Sequence, residues 1–403
     1  MLAGLCLVLF TQCDKEPEPE TEIVVFSDNA FRSALIELGV DNNADGEICT
    51  CEAARVHTLD VSNRAISDMN GIEAFVHLDT LDCSGNLLET LDVSANSELE
   101  HFNCSNNQLS SLDLTNCTEL AYFYCAGNQL TSLDLSSCAQ LYYFVCHGNR
   151  LSSLDLSDNH QLFEVYCEDN QLSSLQFSSS TYFWTISCTG NLLSTLDVSK
   201  VSVINLLCGN NPLASLDISQ NSNLITLSCD HTQISSLDLS NNIYLRSLAC
   251  NNLLLSSLDL SNNNDLWRLS CEGNLLGSLD VSDKAKLEIL HCSNNQLSVL
   301  DVSNNPLLRH FRCRNNQLSS LDLSNNPELT DIDLGGNQFA SLDISRNTKL
   351  GTNLVWESIP DIILDSIPSL LEVCVWEMPF PPEGVEIETS GSPNLYFTTA
   401  CSL

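Results

Sequence analysis

The chain has 403 residues, 43% of them hydrophobic, with 52 acidic against 15 basic side chains and a formal net charge of −37. The length exceeds that of one ordinary globular domain, and the hydrophobic content excludes a disordered polyelectrolyte. The charge excludes a nucleic-acid binder, because such binding depends on Lys and Arg meeting phosphates; it favours solubility and cation binding but names no partner.

Residues 1–12, MLAGLCLVLFTQ, are apolar but shorter than the ~20 residues a membrane helix needs. They read as the apolar core of an export signal. Cys13 then opens the acidic, Pro-rich run CDKEPEPE. This junction resembles a bacterial lipoprotein signal, although Gln12 stands where a small residue is usual. The resemblance implies lipidation of Cys13, a tether over residues 13–24, and residence at the outer membrane or cell surface, with membrane contact only through the anchor. The acidic run resembles the surface-export tether of Bacteroidetes lipoproteins.

Residues 25–56 read as a helical cap. FRSALIEL, residues 31–38, has the apolar spacing of a helix. DNNADGEICTCE, residues 41–52, follows. Asp41, Asn43 and Asp45 fall at loop positions 1, 3 and 5, with Gly46 at 6 and Glu52 at 12. Glu47 supplies its carbonyl at position 7 and Cys49 acts through water at 9. This is the EF-hand pattern of oxygens around a hard cation, with Gly making the sharp turn. The outgoing helix, EAARV, is short. With one loop rather than a pair, the expected role is structural Ca2+ that stiffens the cap over an open solenoid end. A plain turn that binds nothing is the alternative.

From residue 57 to 350 the chain repeats. LDVSANSELEHFNCSNNQLSS at Leu91 is followed by LDLTNCTELAYFYCAGNQLTS at Leu112, a period of 21 residues. Cys83, Cys104, Cys125, Cys146, Cys167, Cys188, Cys208, Cys229, Cys250, Cys271, Cys292 and Cys313 hold one register, and Leu334 takes the next place. Only the Leu196 to Leu216 step is 20 residues. Leu99, Phe102, Cys104, Asn107 and Leu109 fill an L-x-x-L-x-L-x-x-N-x-L skeleton, so the segment resembles leucine-rich repeats, of a kind similar to Bacteroidetes surface proteins and, more distantly, internalins. Thr232 and Leu253 depart from the Asn. The resemblance implies a β-rich leucine-rich-repeat solenoid of about 13 coils with parallel strands on the concave face.

Period two within HFNCS turns Phe102 and Cys104 inward and His101, Asn103 and Ser105 outward. The ladder cysteines are expected as buried free thiols, small hydrophobes in place of leucine; no C-x-x-C pair suggests zinc. Cys117 and Cys138 occupy equal places in adjacent coils, and Cys374 and Cys401 share the last segment, so each pair is a possible disulfide in an oxidising compartment. The Asp ladder (Asp92, Asp113, Asp134, Asp155, Asp197, Asp217) reads as turn-satisfying side chains, with cation binding as the alternative.

The outward residues beside the cysteines form one face. Tyr122, Tyr124, Tyr143, His147, Glu164, Tyr166 and Glu168 make an aromatic and acidic patch suited to a protein or sugar. Arg268, His291, His310, Arg312 and Arg314 make a basic patch suited to an acidic partner. Cross-strand packing is the alternative for both. Residues 351–403 lose the period and read as a β-rich C-terminal cap. No nucleophile elbow, H-E-x-x-H or phosphate loop occurs. The expectation is a monomeric, non-enzymatic surface protein that binds a protein through the concave face, or alternatively a glycan.

Overall fold

The computed structural model describes residues 22–179, 182–352 and 360–401. The export signal and Cys13 lie outside the described residues. The repeats wind into a solenoid whose main sheet has sixteen parallel strands, from Thr58–Asp60 to Ile387–Glu388. Most strands are three residues long, with the central side chain buried and its neighbours partly open. Neighbouring strands pair at the sequence period: Phe102 lies beside Phe123, and Phe123 beside Phe144. These three rings stack inside the coil at 5.6 Å.

Each coil must leave the strand sharply. The residue before the ladder asparagine does this with a left-handed backbone: Asn106, Gly127, Gly148 and Asp169 have φ between +51° and +67°. Gly and Asn adopt that region at least cost, which is why the pattern reads NN, GN or DN.

The ladder asparagines then satisfy the turn. Asn107 donates from Nδ2 to the carbonyls of Cys83 (3.0 Å) and Cys104 (3.1 Å), and its Oδ1 accepts from the Leu88 N–H at 3.0 Å. Buried backbone groups need such partners. Thr232 replaces one amide and donates to the Cys229 carbonyl alone. On the far side of the coil, each Asp accepts from the N–H two residues on, as Asp92 does from Ser94 at 2.9 Å. Hydrogen bonds from the Ser or Thr hydroxyl and N–H hold the exposed carboxyls of Asp92 and Asp113 below their ordinary value.

A second asparagine ladder runs through Asn96, Asn159, Asn221, Asn242, Asn263, Asn305, Asn326 and Asn347, all at most 1% exposed. Each donates to two carbonyls of the previous coil, as Asn242 does to Ile218 and Asn221, while its Oδ1 has no partner among the described residues. Cys117 and Cys138 stand in this register, and Lys284 does too, with Nζ on Asn264 Oδ1 at 3.0 Å. The disulfide expected between Cys117 and Cys138 is therefore not formed. Both are buried free thiols that take the place of asparagine amides. The twelve ladder cysteines are buried and free as well. Burial pushes the Cys117 thiol up to about 11 and the Cys138 thiol to about 12.

The segment from residue 351 differs from the cap read from sequence. It continues the stack: Ile332 pairs with Ile362, and Ile362 with Ile387. The steps lengthen to 30 and 25 residues, which erases the period but leaves the pairing. A second sheet of Ser341–Asp343, Glu372–Cys374 and Tyr396–Thr398 forms the other side of these coils. A disulfide joins Cys374 to Cys401 across a Cα separation of 5.4 Å.

At the other end lie α1 (Asn29–Glu37) and α2 (Thr50–Ala53). Asp28 caps α1 by accepting from the N–H groups of Ala30 and Phe31, and Phe31, Ala34 and Leu35 are buried beneath it. No helix among the described residues is long and apolar enough to cross a membrane.

Candidate binding face and cap loop

The solvent face of the main sheet consists of rows of side chains, one residue per strand in each row. In the coils around Tyr122 the rows are aromatic. His101 stacks on Tyr122 at 4.4 Å between centroids, and Tyr122 meets Tyr142 at 5.9 Å. Tyr142 stacks on Phe163 at 5.1 Å, and Phe163 on Trp184 at 6.2 Å. A second run joins Tyr124, Tyr143 and Tyr166 at 5.4 and 5.7 Å. The four tyrosines read from sequence are thus brought together, and the patch is wider than expected. Tyr142, Phe163 and Trp184 belong to it, as does the exposed Tyr182.

Tyr166 Oη donates to Glu164 Oε2 at 2.5 Å. Burial, and then that carboxylate, push the phenol of Tyr166 well above its ordinary value; burial also raises Tyr124 and Tyr143. The phenols therefore stay neutral donors at any physiological pH. His147 is exposed at the edge of the patch. Glu168 is half-buried, with Oε2 lacking a partner among the described residues.

Further along, Arg268, Ile289, His291, His310 and Arg312 line a cavity of about 240 Å³. His310 Nδ1 lies 2.5 Å from Asp331 Oδ2. Arg314, expected to join this patch as a free cation, does not: Nη1 and Nη2 grip Asp365 at 2.5 and 2.6 Å. Its guanidinium ties the repeat array to the C-terminal coils, so its part is structural.

The cap loop folds around its own acidic groups. Asp41 Oδ2 accepts from the Gly46 N–H at 2.9 Å, Asn43 Oδ1 from Asp45 at 2.8 Å and Asp45 Oδ1 from Glu47 at 2.9 Å. Glu52 is 4% exposed; its two oxygens accept from the N–H groups of Asn42 and Cys49, both at 3.0 Å. Arg32 donates to the Gly46 carbonyl. Gly46 has a φ of +86°, the conformation its place in the loop requires. Asp41 Oδ1 is buried with no partner among the described residues, an atom that a cation would satisfy. Cys49, expected to act through water, is joined instead to Cys51 by a disulfide. Among the described residues the one trio of converging His, Cys, Asp or Glu donor atoms is Asp343, Cys374 and Cys401. The disulfide between its cysteines rules that trio out as a metal site.

No family model matches the chain, and no curated protein does either. Solved structures do. The functional domain of InlJ from Listeria monocytogenes, described as including a cysteine ladder, is 30% identical with a TM-score of 0.67, over 88% of this chain and 81% of that one. The Listeria internalin InlF, at 20% identity, covers 81% of this chain and 94% of its own with a TM-score of 0.64. A leucine-rich-repeat protein of Leptospira interrogans, at 19% identity, covers 90% and 98% with a TM-score of 0.62. The latter two show the fold alone, whereas the first is also 30% identical in sequence. By that identity over most of both chains, the protein belongs to the bacterial internalin-like leucine-rich-repeat proteins.

Proposed function

We propose that the protein is an exported, non-enzymatic interaction or adhesion protein that binds a protein ligand on the open face of its main sheet. The observation that carries this reading is the run of solvent-facing aromatic side chains from His101 to Trp184. Trp184 is 44% exposed, Tyr182 45% and Tyr142 38%. Large apolar patches are uncommon on free surfaces and mark contact sites, and Tyr and Trp offer broad, rigid contact area with a polar tip. The test is capture of binding proteins from host and microbial-community extracts, comparing wild type with Tyr124→Ser/Tyr166→Ser. The variant should keep its fold and lose the captured partner; an unchanged captured set refutes the assignment.

A second reading has its own support. Tyr142 and Phe163 stack with nearly parallel planes, 7° apart, and an exposed aromatic row also suits the apolar face of a sugar. A glycan array on which wild type binds and Tyr142→Ser does not would favour it. In either case Cys13 is proposed as the lipid anchor, and protease shaving of intact cells would show whether the face is outward.

For the cap loop we propose structural calcium, held by Asp41, Asn43, Asp45, the Glu47 carbonyl and Glu52. The sequence pattern and the orphaned Asp41 oxygen support it. Native mass spectrometry of the purified protein should show one calcium, lost in Asp41→Asn; a calcium-free wild type refutes it.

A further inference from the structure

The cavity among Arg268, Ile289, His291, His310 and Arg312 is built unlike the rest of this surface. The chain has 15 Lys and Arg in 403 residues, yet two of them converge here from alternate strands. Arg268 pairs with Ile289, Ile289 with His310, and His291 with Arg312. Neither Arg268 nor Arg312 has a salt-bridge partner among the described residues. Between them His291 buries its Nε2 without a partner among the described residues. His291 also reports the local field. Burial, then Arg312 and Arg268, bring its ring down to about 4 against a smaller opposing pull from Asp331. At neutral pH it is an uncharged ring in a positive field.

We propose that this cavity seats one carboxylate side chain, a single glutamate or aspartate of a protein partner. The proposal rests on the reading of the sheet face as a protein-binding surface. A guanidinium fork matches a carboxylate, and Ile289 offers an apolar wall to the methylene stem. Glu272 and Asp333, whose carboxyls burial pushes up, both feel the charge of Arg312, which leaves Arg268 the freer of the two guanidinium groups for the ligand carboxylate. A polyanion does not fit, since a chain of net charge −37 repels it over its whole length, whereas one carboxylate meets only the local positive field. A sulfated sugar also brings hydroxyls for which Ile289 has no hydrogen bond.

The experiment uses the full chain with ¹³C-labelled histidine and a capped pentapeptide with one central glutamate. The peptide should shift the ring resonances of His291 and His310 saturably. Its glutamine counterpart should bind about tenfold more weakly, the worth of one charge-assisted hydrogen bond. Arg268→Gln, at an exposed position, should abolish the shift; Arg312→Lys, which keeps the charge and loses the fork, should weaken it. Tyr124→Ser/Tyr166→Ser should leave it unchanged, which separates failure here from failure of the aromatic patch. Equal binding of the glutamine peptide, no saturable shift, or a sulfated disaccharide acting at lower concentration than the glutamate peptide would each overturn the proposal.

Discussion

Replacing Asn128 by alanine tests how the coils are held. Asn128 is 7% exposed. Its Nδ2 donates to the Cys104 and Cys125 carbonyls at 3.0 and 3.1 Å, and its Oδ1 accepts from the Leu109 N–H at 3.0 Å. The carbonyls are insured, because Asn107 also reaches Cys104 and Asn149 also reaches Cys125. Their two lost bonds therefore cost towards the lower end, about 0.5 kcal/mol each. The Leu109 N–H is left buried and unpaired, at about 1–3 kcal/mol. Asn128→Ala should thus destabilise its coil by about 2–4 kcal/mol in all, and Asn128→Thr by less, since Thr232 shows a hydroxyl keeping one of these bonds. A solenoid opens coil by coil, so a single global unfolding energy is not the right measure. Amide hydrogen exchange at Leu109 and its neighbours is. If Leu109 exchanges as slowly in Asn128→Ala as in wild type, and the urea midpoint is unmoved, the asparagine ladder does not hold the coils as argued.

Three further outcomes follow from the same structure. Asp28 is pushed up by burial, but hydrogen bonds from Ser67, Phe31 and Ala30 outweigh this and hold it at about 2 against an ordinary 3.8. A folded-state value below the unfolded one means its stabilisation is full above pH ~4 and lost as pH falls towards 2; the stability gap between wild type and Asp28→Ala, followed by urea titration, should narrow over that window. Arg314→Ala should cost about 1.5–3 kcal/mol and speed exchange in Ile362–Ile363 while the coils near Leu59 stay protected. The ladder thiols should resist alkylation at pH 8 until the chain is unfolded, because burial raises every one of them; rapid labelling of native protein would contradict their burial.

What the sequence disclosed was whatever repeats at a fixed step. Each coil buries its own copy of the same side chains, so Phe102, Cys104, Asn107 and Leu109 announce the fold and the interior. The second asparagine ladder was hidden by Cys117 and Cys138, which invited a disulfide. The structure shows them filling amide positions, where the neighbouring carbonyls can be left to other donors. The last coils were hidden because residues inserted between strands change the sequence step and not the pairing of Ile332, Ile362 and Ile387. On the face, reading only the residues beside the cysteine found Tyr122 and Tyr166 and missed Tyr142 and Phe163, one place before their strands, and Trp184, inside its longer strand, although all three keep the same 21-residue step. The lone cation Arg314 looked like its neighbours in sequence; only its contact with Asp365, 51 residues away, removes it from the surface.

Parallel in-register stacking also makes the molecule a ruler. The strand carrying Tyr166 and the strand carrying Arg268 are five steps apart in the main sheet, roughly 24 Å at about 4.8 Å per step. Gaining or losing one coil leaves every joint chemically the same and shifts this separation by a single increment. A ligand that engages both the aromatic run and the basic cavity must therefore match a length drawn from a discrete series, and a one-coil deletion between them would detune it without altering either patch.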